Sequence, residues 1–149
     1  MAYLIDTSLL VRLANVRDAK HALTARVVLR LHRGGEVLHI TPQVLIEFRG
    51  VATRPISANG LGLSAVDAEP HALKFETMFP LLVDTPDIYP AWRDLVEAVG
   101  VTGKRVHDAR LVAVCHTHKV THLLTFDVAH FSRMAAFGPG VVVVDPATV

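Results

Sequence analysis

Apolar residues in this chain come in short runs separated by longer stretches with helical spacing. Tyr3-Leu4-Ile5 reads as a short buried strand, residues 37–40 as a second, residues 122–125 as a third and residues 141–144 as a last. The last run is apolar at every position, the pattern of a strand covered on both faces. Leu81-Leu82-Val83 reads as a weak additional strand. Helical spacing covers residues 8–14 and 19–32, and Gly34-Gly35 closes the second of these. Thr41-Pro42 opens a helix to about residue 52, with Thr41 as cap and Pro42 at the first helical position. Residues 54–63 contain Pro55, Asn59, Gly60 and Gly62 and read as irregular backbone. Ser64 starts the next helix, with Asp67 three residues on as a capping-box-like partner. Asp87 caps a helix ending at Gly100, a further helix covers about 107–118 after Gly103, and a short helical turn covers 129–134. Strands that alternate with helices predict an α/β fold, a central mostly parallel sheet flanked by helices. No repeat or linker divides the chain, so residues 1–149 are expected to form one domain.

Composition narrows this picture modestly. Hydrophobic residues make up 51% of the 149, which excludes a disordered chain. The formal net charge of +1 announces no nucleic-acid partner by itself, so any RNA contact needs locally placed basic residues. Cys115 is the only cysteine, so no internal disulfide can form, and a reducing compartment fits. Asp6 and Arg12 interrupt the first apolar stretch, against a signal peptide, and no run reaches the ~18 apolar residues of a membrane span. The expectation is a cytoplasmic protein with no membrane partner.

Four carboxylates carry the chemistry. Asp6 and Asp127 each follow an apolar strand, and ligands of open α/β sheets bind at the carboxyl ends of strands. Each is equally well placed to cap the following helix. Glu47 sits within Val44-Leu45-Ile46-Glu47-Phe48, where a carboxylate beside so much apolar surface is costly unless paired or metal-bound. A salt bridge to Arg12 or Arg54 is the structural alternative. Asp108 lies in the first turn of its helix, where an acid also suits the helix dipole. Several acids converging on one rim repel one another unless a cation lies between them. A hard divalent cation takes such oxygen ligands, activates water and neutralises a phosphodiester.

These segments resemble the four motifs of PIN-domain proteins. Tyr3-Leu4-Ile5-Asp6-Thr7-Ser8 is similar to the first, Val44-Leu45-Ile46-Glu47-Phe48 to the second, Val106-His107-Asp108-Ala109-Arg110-Leu111 to the third, and Leu123-Leu124-Thr125-Phe126-Asp127 to the fourth. The order is the family's, and the resemblance spans nearly the whole chain. The subgroup it looks like is the VapC-type toxin ribonucleases of type II toxin–antitoxin pairs. Residues 52–55 and 59–62 look like a stretch common in actinobacterial and cyanobacterial members. The resemblance implies a PIN fold and Mg²⁺- or Mn²⁺-dependent endoribonuclease activity, with Asp6, Glu47, Asp108 and Asp127 as catalytic and metal-binding residues. It implies a supporting hydroxyl at Thr125, an RNA substrate, a homodimer, and silencing by a cognate antitoxin protein. The fourth motif departs from the family: His130 stands where an acid is common, and Asp127 holds the earlier position. Its contact with metal is direct or indirect.

Other residues complete the expectation. Ser8 either caps a helix or binds water at the site. His107 either orients a carboxylate or is a polar residue at a helix start. Lys104, Arg105 and Arg110 flank Asp108 and, with Arg54, are the candidates for RNA phosphate contact; Arg12 and Arg49 read as weaker ones. His116, His118 and His122 are close in sequence, but residues two apart face different sides of a helix, which disfavours zinc. Cys115 reads as an ordinary buried residue. No Gly-x-Ser-x-Gly elbow supports a serine hydrolase. Two rival functions remain: a PIN-fold RNA- or protein-binding module with little or no cleavage, and a phosphatase with Asp6 as nucleophile. The second lacks the usual Asp two residues on, where this chain has Ser8.

Overall fold

The computed structural model describes all 149 residues. Four strands, β1 (Ala2–Ile5), β2 (Val37–His39), β3 (His122–Leu124) and β4 (Val142–Val144), form one parallel sheet in the order β2-β1-β3-β4. Seven helices surround it: α1 (Thr7–Ala14), α2 (His21–Arg33), α3 (Pro42–Thr53), α4 (Ala65–Met78), α5 (Ile88–Val99), α6 (Arg105–His118) and α7 (Val128–Ala135). This is the α/β architecture read from the alternation of patterns.

The core is one cluster of 32 buried residues. β1 lies in the sheet interior and its Leu4 and Ile5 are fully buried, as are Leu123 and Leu124 of neighbouring β3. α6 is the most enclosed helix, with Ala109 and every residue from Leu111 to Cys115 fully buried. It is apolar around most of its circumference, as a helix surrounded by protein must be. Burying each such leucine stabilises the fold by roughly 1.5–3 kcal/mol. α6 and β1 therefore form a rigid frame, and Asp108 and Asp6 stand at its edge.

Local signals explain most boundaries. The Thr41 side chain accepts a bond from the Val44 amide and Ser64 accepts one from Asp67, so both expected caps form. Gly100 ends α5 in the left-handed region at φ 73°, where a side chain is strained. In the 54–63 segment, a short 3₁₀ turn (Ile56–Ala58) folds back so closely that a Cβ on Gly60 would stand 2.0 Å from the Arg54 carbonyl oxygen.

Several expectations need correction. Residues 81–83 form no strand; only an isolated bridge joins Leu81 to Ile40, because the chain leaves the sheet after one pairing. α6 begins at Arg105, two residues before the expected start, which brings Arg105 onto the same helix as Asp108. The Asp87 side chain makes no capping bond. β4 is an edge strand with Val142 exposed, so its unbroken apolar run does not mean cover on both faces. It pairs with β3 alone and packs against α7.

Candidate active site

The parallel ladder fixes the first half of the site. Ile5 pairs with Leu124, and the ladder continues one residue further, where the Asp6 amide donates to the Leu124 carbonyl at 3.1 Å. This sets Asp6 beside Thr125 at the carboxyl rim of the sheet. The Thr125 hydroxyl donates to Asp6 Oδ2 at 2.8 Å, and the Ser8 hydroxyl donates to the same oxygen at 2.9 Å. Asp6 occupies the position before α1, yet its carboxylate makes no capping bond there. Its acceptor capacity goes to the site. Burial pushes the Asp6 carboxyl above the ordinary range; the bonds from Thr125, Ser8 and the Thr7 backbone pull it down, and the Asp108 charge pushes it up again.

α3 supplies Glu47. The Thr7 hydroxyl donates to Glu47 Oε2 at 2.7 Å, and Gln43, one turn earlier on α3, donates to Oε1 at 2.8 Å. No arginine pairs with Glu47: Arg12 instead reaches the Ser8 carbonyl at 3.0 Å and lies over the Phe126 ring. The carboxylate is thus held by neutral donors, without a cation beside it. Gln43 also donates to the His107 carbonyl at 2.8 Å, tying α3 to the first turn of α6.

That first turn supplies Asp108. Burial raises its carboxyl, Arg105 lowers it, and the charges of Glu47 and Asp127 raise it again. The Arg105 guanidinium donates to Asp108 Oδ2 at 3.0 Å and to Asp127 Oδ2 at 3.1 Å. Asp127 precedes α7 without capping it by its side chain. Its other oxygen pairs with the exposed His130 ring, and its backbone amide donates to the Thr125 hydroxyl at 3.0 Å. Thr125 is fully buried and therefore links the first and fourth acids through one oxygen atom.

A cleft of about 630 Å³ opens over this rim. Glu47 and Asp108 line it together with Lys104, Arg105, His107 and Arg110. Arg110 is anchored by Asp84 at 2.9 Å and by the Gln43 side-chain oxygen at 3.2 Å. Arg54 is not among the lining residues; it ends α3 on the exposed side of the Gly60 fold-back. Arg49 pairs with Glu69 on the surface. The cleft therefore carries basic side chains around acids, a lining suited to an anionic polymer and a cation together. Sequence reasoning passed over Gln43, Thr7 and Asp84 as site residues. Gln43 was findable, since it lies four residues before Glu47 on a helix; Asp84 was not, because only the fold brings it to Arg110.

The oxygen-rich donor set suits a hard cation such as Mg²⁺ or Mn²⁺, which keeps several waters and uses one or two carboxylates. As the side chains stand, no three His, Cys, Asp or Glu residues are grouped closely enough to hold a metal ion together. The three histidines weighed for zinc are dispersed in their contacts: His118 meets the Val83 carbonyl at 2.9 Å and His122 meets Thr121 at 2.7 Å. Cys115 is buried and its thiol is pushed up to about 12, so it stays protonated and inert.

The PIN domain family model matches residues 3–136, and the chain belongs to that family. The four motifs read from the sequence all fall within this match. Solved structures share the fold at low sequence identity. A chain of the VapBC2 complex from Rickettsia felis, bound to a promoter DNA fragment, aligns at TM-score 0.72 and 15% identity, over 97% of this chain and 98% of that one. VapC20 of Mycobacterium tuberculosis, a sarcin–ricin-loop-cleaving toxin, aligns at TM-score 0.64 and 22% identity, over 87% and 93%. A toxin–antitoxin complex from Klebsiella pneumoniae aligns at TM-score 0.64 and 19% identity, over 97% of each chain. No curated protein sequence matches the chain. No helix is long and apolar enough to cross a membrane.

Proposed function

We propose that this PIN-domain protein is a divalent-metal-dependent endoribonuclease and the toxin of a type II toxin–antitoxin pair. One observation supports the reading: Asp6, Glu47, Asp108 and Asp127, from four separate segments, are linked at the carboxyl rim of the sheet through Thr125, Thr7, Gln43 and the Arg105 guanidinium. Purely structural acids would be expected to end in caps and surface ion pairs. Here Asp6 and Glu47 are held by neutral donors, which keeps their charge available.

Asp6, Glu47 and Asp108 would hold Mg²⁺ or Mn²⁺ directly or through water, and Asp127 would complete the site. The bound cation would supply charge neutralisation at the phosphodiester and a more acidic water. The chain's own residues do the rest. Thr125 and Ser8 fix the Asp6 carboxylate, and Thr7 and Gln43 fix Glu47. Lys104 and Arg110, on the cleft wall, meet RNA phosphates. His107 lies beside them, with its backbone held by Gln43. The expected products carry a 5′-phosphate and a 3′-hydroxyl. The toxin role rests on the VapBC likeness and assigns a cognate antitoxin and a homodimer as partners.

Cleavage of RNA by the purified chain in Mg²⁺ or Mn²⁺, compared with Asp6→Asn and Asp108→Asn, tests the mechanism. Activity that survives in both variants, or in EDTA, rules it out. A second reading is a PIN-fold module that binds RNA or protein with little cleavage; the ion pairs of Arg105 with two of the four acids favour it. Binding of RNA without cleavage in either metal would establish it. The toxin role fails if expression does not arrest growth, or if the product of an adjacent short reading frame does not relieve that arrest. Light scattering would separate a dimer from the 16.2 kDa chain.

A further inference from the structure

Arg105 was expected to contact RNA, but its guanidinium lies between two site acids, 3.0 Å from Asp108 and 3.1 Å from Asp127. Its side chain is about one-third exposed, so the contact is held at the cleft surface rather than locked in the core. Arg105 also borders a second cavity of about 270 Å³, shared with Val101, His130 and Arg133. The side chain therefore borders open space on both the cleft and this smaller cavity. Arg133, on the wall of the smaller cavity, is tied to the Val99 carbonyl at 2.7 Å rather than to an acid.

The geometry points to Arg105 as an internal counter-cation that a divalent metal must displace. This rests on the metal reading above and adds a competitor built into the same helix turn. Four acids converge here, and the Arg105 charge offsets part of their repulsion while no metal is bound. Asp108 would hold a divalent cation beside the guanidinium that it now binds. Like charges at one carboxylate repel, and Arg105 would withdraw toward the smaller cavity that it borders. Arg105 and the metal would thus compete for Asp108, which sets the metal threshold of the chain. Both contacts come from one guanidinium nitrogen, Nη1, and a lysine side chain is one bond shorter, so its ammonium would reach the two carboxylates less well.

The test is Mn²⁺ binding to the full chain, followed by calorimetric titration without RNA, for wild type, Arg105→Gln and Arg105→Lys. Displacement predicts that Arg105→Gln binds Mn²⁺ tighter by about tenfold, the order of one charge-assisted contact, with Arg105→Lys between the two. Melting gives an independent readout. Arg105→Gln is expected to melt below wild type in EDTA and to gain more than wild type from saturating Mn²⁺. Equal or weaker Mn²⁺ binding by folded Arg105→Gln overturns the inference and leaves the metal reading standing. Failure of all three proteins to bind Mn²⁺ overturns both. If Arg105→Gln does not fold, Arg105→Lys decides: unchanged affinity refutes displacement, and tighter binding supports it.

Discussion

The ends of β1 and β3 lie side by side and each delivers an aspartate to the rim, yet the two are held in opposite ways. Asp6 is only 7% exposed and is gripped by two neutral hydroxyls from Thr125 and Ser8. The Asp127 side chain is 40% exposed and is held by the Arg105 guanidinium and the His130 ring. Neutral donors fix a carboxylate without cancelling its charge, and burial stops solvent from rearranging it. Cationic partners satisfy the carboxylate itself. The comparison teaches that the β1 end holds its carboxylate with neutral donors and burial, whereas the β3 end pairs its carboxylate with the Arg105 guanidinium near the surface. Thr125 joins the two, donating to Asp6 and accepting from the Asp127 amide.

The largest effect is expected from Asp6→Asn. RNA cleavage should fall by more than about 100-fold, beyond the 10–100-fold typical of losing an outer partner of a metal site. A loss equal to that of Asp127→Asn would erase the proposed difference between the strand ends. Thr125→Val comes next. It removes the donor to Asp6 and the acceptor for the Asp127 amide, so cation affinity should drop about 10–100-fold. The fold should lose about 1–3 kcal/mol in denaturant unfolding from the buried unpaired groups, and Thr125→Ser should restore most of both. Asp127→Asn should cost less, about tenfold or under in cleavage, because its carboxylate is exposed and already compensated. A greater loss would make Asp127 a direct ligand.

The smallest effect is on stability against pH. Burial raises the Asp6 carboxyl above its unfolded value, so the folded chain holds that proton more tightly than the unfolded chain does. That contribution is fully present below the ordinary carboxylate range and is lost as pH rises through the raised folded value. In EDTA, Asp6→Asn should therefore melt above wild type at neutral pH, and the gap should narrow as pH falls toward that range. A gap that widens on acidification would mean that the hydroxyl bonds outweigh burial. With Mn²⁺ present the order should reverse at neutral pH, since only wild type retains the Asp6 ligand.

Much of the molecule was legible in the chain. The strand–helix alternation, the caps at Thr41 and Ser64 and the left-handed close at Gly100 are local effects, decided within a few residues, and they appear where the sequence puts them. The four acids were singled out in the sequence through their local settings and the PIN resemblance, and the fold brings their segments to one rim of the sheet. Less legible was what each acid touches. Glu47 offered a choice between an arginine partner and a free carboxylate; Thr7 and Gln43 decide it, and Thr7 lies 40 residues away. Arg105 offered only a charge beside Asp108. Its second partner, Asp127, is 22 residues on and reaches it only because β3 ends at the same rim as α6 begins.

The sequence by itself therefore determined the α/β class and most of the elements, because hydrophobic period, caps and turn residues act over a few residues. Only the tertiary structure decided that Asp6 is held by neutral hydroxyls while Asp108 and Asp127 share Arg105. Pairing between β1 and β3 and the approach of α6 bring together groups remote in the chain, and burial then sets how strongly each charge is felt.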